Sequence, residues 1–140
     1  NLTQLFKADF QRFLQGLVAG DYTKTPVHIT WSTSPKLSIS GEHWAKAIKG
    51  EVAQQYANIP NSHLYFKFVV QDEQDMEEVE MAREEYKKFG VEADIYLMAV
   101  GATVEGQGKT SKQVADLAMK NGYKFSPRLH VDLFGNKWGT

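Results

Sequence analysis

Cysteine is absent from the 140 residues, which excludes a disulfide framework and any thiolate metal site built by this chain itself. An excess of one charge is also missing. Sixteen basic residues face seventeen acidic ones, which argues against a broad cationic face for nucleic acid. No apolar run approaches the length of a membrane span, and no basic-then-apolar leader opens the chain. His28, His43, His63 and His130 are scattered, without the His-Glu-x-x-His spacing of a helix-borne zinc site. No repeat, low-complexity tract or linker interrupts residues 1–140. The absence of disulfides is compatible with the cytosol, and a cytoplasmic location is the expectation. The hydrophobic share of 42% with 24% charged residues suffices for an ordinary packed core. Residues 1–140 therefore read as one domain or as part of a larger one. Asn1 stands where a Met would open a complete chain, so a processed or truncated start is expected.

Hydrophobic periodicity divides the chain into alternating elements. Apolar residues from Leu2 to Val18 recur at three- and four-residue spacing, predicting a helix closed by Gly20-Asp21. A strand follows over Val27–Thr33, then a loop over 34–41 and a helix over about His43–Ala57. Leu64–Val70 is an almost continuous run of β-formers broken by Lys67, as in a strand covered on both faces. The next helix, about Glu73–Phe89, has acids at its start and lysines before Gly90, which complements the helix dipole. A third strand over Asp94–Val100 leads to a glycine-containing loop over 101–109. A last helix is then capped by Thr110 or Ser111 and ends near Asn121-Gly122. A fourth strand is expected over about Lys124–Leu133. Strict alternation predicts an α/β fold with about four parallel strands and crossover helices. Such a set could be a small open sheet or half of a (β/α) barrel, with the segment after the last strand lying over the mouth.

Three places could carry chemistry. Gly106-Gln107-Gly108-Lys109-Thr110 sits where a phosphate-binding loop would, but Thr103 occupies the position of the first glycine in Gly-x-x-x-x-Gly-Lys-Ser/Thr. A nucleotide-binding module is the reading it supports, against a plain loop ending in a helix cap. If the last strand runs to Leu133, Arg128, His130 and Asp132 share one strand face and need partners there, either a ligand or a polar network. Ser34-Pro35-Lys36 follows the first strand at its C-terminal end, where Pro35 fixes the exit and Ser34 and Lys36 can project into the mouth. The acids crowded between Asp72 and Glu85 read as a solvated helix face.

Trp31 to Gly41, Tyr65 to Val70 with the acidic helix behind it, Tyr96 to Thr103, and Phe125 to Thr140 together resemble the radical S-adenosylmethionine (SAM) 7-carboxy-7-deazaguanine synthases of queuosine biosynthesis. The order and spacing of these segments agree with the family from Trp31 onward. The resemblance implies the C-terminal half of a partial (β/α) barrel. It implies a SAM-dependent lyase that converts 6-carboxy-5,6,7,8-tetrahydropterin to 7-carboxy-7-deazaguanine with a [4Fe–4S] cluster and Mg²⁺. It also implies roles: Ser34, Lys36, Val100 and Gly101 beside SAM, and Arg128, His130 and the Thr140 end beside the pterin. The departure from the family pattern is the missing Cys-x-x-x-Cys-x-x-Cys loop and Gly-Gly-Glu segment. The chain alone is therefore expected to be inactive, with a separate N-terminal half or a second copy covering its open core. A non-catalytic domain binding pterin, SAM or a partner is the other reading.

Overall fold

The computed structural model describes residues 2–101 and 103–135. Helix α1 (Ala8–Ala19) is followed by strand β1 (Ile29–Thr33) and a 3-10 turn at Ser38–Ser40. Two short helices come next, α2 (Trp44–Ala47) and α3 (Gly50–Ala57). Strand β2 (Ser62–Val70), helix α4 (Glu73–Lys88), strand β3 (Asp94–Ala99) and helix α5 (Val104–Lys120) continue the alternation. Strand β4 (Lys124–Phe125) and helix α6 (Leu129–Phe134) end the described chain.

The four strands form one sheet in the order β1-β2-β3-β4, and every neighbouring pair is parallel. A doubly wound sheet reverses its strand order at a switch point; this one does not. Right-handed crossovers between sequential parallel strands return over the same side of the sheet, which is the winding of a barrel arc. The sheet is not closed, so the fold is α/β with the character of a partial (β/α) barrel.

The packing agrees with that winding. Along β2, Leu64, Phe66, Phe68 and Val70 are buried, and the residues between them are more exposed. The buried set joins Ile95, Leu97 and Ala99 of β3 with Val52 of α3, Val79 and Tyr86 of α4, and Val114 and Leu117 of α5 in one core. Tyr86 stacks on Phe66 at 4.4 Å between ring centroids. Gly50 starts α3 because a Cβ there would lie 1.9 Å from the Phe89 ring. A second, smaller cluster of Leu14, Val18 and Ile59 attaches α1 beside Trp31.

Local chemistry sets the element ends. Asp72 caps α4 by accepting from the Gln74 amide at 3.0 Å. Glu73 and Asp75 in its first turn and Lys87 and Lys88 in its last complement the dipole.

Several sequence expectations are corrected. The broad first helix contracts to Ala8–Ala19, and the helix expected over His43–Ala57 is two helices separated by an extended Ile48 and Lys49. Helix α5 starts at Val104, not near Ser111, because the Thr103 hydroxyl accepts from the Gly106 amide at 3.0 Å and caps it. Gly106 to Thr110 therefore lies in helix, without the open backbone wrap of a phosphate loop, and exposed Lys109 pairs with Glu105 at 3.0 Å. The nucleotide-loop reading falls with it. The last strand is two residues long, and Leu129–Phe134 is helical. Pro127 removes a backbone donor just past β4, and the hydrogen bonds from Val131 and Asp132 to the Arg128 carbonyl turn the chain into α6.

Candidate functional site

One face of the sheet carries the helices; the other has polar and aromatic side chains in rows set by the parallel register. In a parallel sheet, register partners point the same way. At the strand starts, Asp94 lies 3.8 Å from His63 and 2.6 Å from Lys124. The bond to Asp94 holds the Lys124 ammonium above the ordinary lysine pKa. One step along, Tyr65 pairs in register with Ser32 and Asp94, and its ring lies 4.9 Å from that of Tyr96. Tyr96 is also in register with Lys124, whose ammonium sits 5.2 Å from the ring centroid. Lys67 is the register partner of Tyr96, and Val69 that of Met98. The open face thus runs from a compensated charge cluster, through two tyrosines and a lysine, to an apolar rim at the C-terminal ends of the strands.

The residues expected at the site lie at or beyond those strand ends. Ser34 is half-buried, and its hydroxyl donates to the Lys67 carbonyl at 3.0 Å. Its donor is used in joining β1 to β2, and its lone pairs remain. Pro35 behind it is fully buried, which fixes the exit of the chain. Lys36 lines a small groove with Thr3, Glu42, Lys46 and Ala47. The loop is held further along by Glu78 of α4, whose carboxylate accepts from the Ser38 amide at 2.9 and 3.0 Å and from its hydroxyl at 2.8 Å.

Val100 and Gly101 form the turn after β3. The Val100 amide donates to the Val70 carbonyl at 3.0 Å, and the Val100 carbonyl accepts from the Thr110 hydroxyl at 3.0 Å. The Gly101 carbonyl accepts from the side-chain Nε2 of buried Gln107 at 3.3 Å and from the Arg128 guanidinium at 3.0 Å. The turn is braced by the first turns of α5 and by the segment after β4. Gly101 is required there: its φ is +128°, and a Cβ would lie 2.9 Å from backbone atoms of Gly106 and Gln107.

Arg128 is therefore joined to the Val100–Gly101 turn. His130 is not: it is exposed on α6, and Arg128, His130 and Asp132 do not share a strand face. Residues two apart on a helix point about 200° away from each other. Thr140 lies outside the described residues. Gln107 and Thr110, the braces of the turn, were not singled out as such from sequence; recognising Thr103 as the cap would have placed both on the first turns of α5.

The donor set bears on the cofactors the resemblance implies. A chain without cysteine supplies no thiolate for an iron–sulfur cluster, so the cluster does not fit this chain. Among the described residues no group of three or more His, Asp or Glu side chains is placed to hold a metal ion, and no helix is long and apolar enough to cross a membrane.

Comparison with known proteins gives two close matches with one name. A 7-carboxy-7-deazaguanine synthase of Pyrobaculum aerophilum is 33% identical over 110 residues, covering 78% of this chain and 45% of the relative. One of Halobacterium salinarum is 35% identical over 123 residues, covering 75% of this chain and 48% of the relative. The chain spans about half the length of these curated relatives. No protein-family model matches it, and no solved structure does.

Proposed function

For a chain that belongs to the 7-carboxy-7-deazaguanine synthase family, we propose a share in the conversion of 6-carboxy-5,6,7,8-tetrahydropterin to 7-carboxy-7-deazaguanine. Its part is to hold ligands, not to start the chemistry. The observation that carries this reading is the similarity across three quarters of the chain to two synthases about twice its matched length. The parallel sheet supports it, because sites in (β/α) folds gather at the C-terminal ends of the strands.

In this reading Ser34, Lys36 and the Val100–Gly101 turn lie on the SAM side, and Arg128, His130 and the Thr140 end on the pterin side. The Arg128 bond to the Gly101 carbonyl joins the two sides. An iron–sulfur cluster would supply the electron for cleaving SAM, and its thiolates would come from outside residues 1–140. This chain binds, orients and shields. Mg²⁺ belongs to the complete site.

The test is to join residues 1–140 behind the cysteine-bearing part of the Pyrobaculum aerophilum synthase and assay the hybrid anaerobically. The hybrid is expected to form 7-carboxy-7-deazaguanine, and residues 1–140 alone to form none. A hybrid that cleaves SAM yet leaves the pterin unchanged would overturn the reading.

A further inference from the structure

Lys67 is out of place for a residue of plain structural use. Lysine is depleted in strands, and β2 is an inner strand, flanked by β1 and β3. Its neighbours in sequence, Phe66 and Phe68, are buried on the helix side, so the strand's alternation sends Lys67 to the open face. There it is half-buried, with Tyr96 as its register partner and Tyr65 two residues back along the strand.

The acid nearest in the register is already satisfied: Asp94 is bonded to Lys124 and lies within ion-pair distance of His63. Lys46, Lys87, Lys88, Lys109, Lys120 and Lys124 each pair with an acid, and Lys67 is in no ion pair among the described residues. Its backbone carbonyl takes the Ser34 hydroxyl, which ties this point of β2 to the loop after β1. A half-buried lysine with three donors, in register with a tyrosine and in no ion pair among the described residues, favours an anionic group with lone pairs to accept them.

We propose that Lys67 binds the carboxylate of a small-molecule ligand lying on the open face of the sheet. The choice of ligands rests on the proposed function. Two of them carry the required group: SAM in its amino-acid part, and 6-carboxy-5,6,7,8-tetrahydropterin on its ring.

The test is calorimetric titration of residues 1–140 with each ligand and with its counterpart lacking the carboxylate, decarboxylated SAM or unsubstituted tetrahydropterin. Wild type is compared with Lys67→Met and Lys67→Arg. A charge-assisted hydrogen bond corresponds to roughly tenfold to hundredfold in affinity. Lys67→Met is expected to weaken one carboxylate ligand by that factor and to leave its counterpart unchanged, with Lys67→Arg restoring most of the loss. Which ligand responds identifies the source of the carboxylate. The ligand pairs on wild type show whether the carboxylate is recognised at all, so a wild type indifferent to it overturns the proposal even where a variant fails to fold. Equal binding of carboxylate ligand and counterpart by wild type in both pairs, or equal binding of both carboxylate ligands by wild type and a folded Lys67→Met, overturns the role of Lys67 and leaves the family reading standing. Failure of wild type to bind any of the four ligands overturns both.

Discussion

At Gly101 the backbone adopts φ +128°, and the start of α5 passes too close for a side chain. Gly101→Ala is expected to destabilise the chain by about 1–3 kcal/mol, read as a lower urea midpoint. Gly108, exposed on α5 with open space around it, is the control: Gly108→Ala is expected to raise the midpoint, by up to about 1 kcal/mol. Tyr123 shows the same dependence on surroundings in its titration. Burial, then a hydrogen bond to Glu80, pushes its hydroxyl up to about 12. Burial pushes the Tyr86 hydroxyl up as well. A raised folded-state pKa means that the unfolded chain loses its proton first. Stability is therefore held below pH 10 and falls as the pH rises from 10 toward 12. Tyr123→Phe is expected to make that fall shallower, as measured by chemical denaturation across the interval.

Among the elements, the loop after β1 has an anchor that the sequence does not advertise. Glu78 is 40 residues from Ser38 and looks like one more acid on a solvated helix, yet its carboxylate accepts three hydrogen bonds from that serine. Glu78→Ala is expected to cost roughly 1 kcal/mol and to speed hydrogen exchange at the Ser38 amide, with little change at the core amides of β2. Elements were legible where the pattern was long and one-sided. The presence of β2 and the charges at the ends of α4 can be read from residue types alone, but the near-continuous run of β-formers suggests a strand covered on both faces, whereas β2 is buried on one face and only half-buried on the other. The end of the chain was harder. Arg128, His130 and Asp132 alternate with apolar residues as a strand would, and six residues do not separate that pattern from a helical turn. The start of helix α5 is hidden because three glycines and Lys109 suggest a loop, while the capping bond from the Gly106 amide to the Thr103 hydroxyl depends on geometry.

For the molecule as a whole, alternation of helix and strand was enough to anticipate a parallel sheet, and the order β1-β2-β3-β4 turns that into a barrel arc. The site was legible only in part. The Ser34 loop and the Val100–Gly101 turn are legible as strand-end features, but the bond from Arg128 to Gly101 and the place of Lys67 beside Tyr96 depend on the register between distant strands. The arc leaves one sheet face polar among the described residues, and the proposed function puts SAM and the pterin there and at the adjoining strand ends. The decisive measurement is chemical-shift mapping of residues 1–140 with 6-carboxy-5,6,7,8-tetrahydropterin, and separately with SAM. Shifts are expected at Lys67, Tyr96, Met98 and the Val100–Gly101 turn, with α3 and the outer face of α4 unmoved. Shifts confined to the helix side of the sheet, or none with either ligand, would rule out a ligand site on this face.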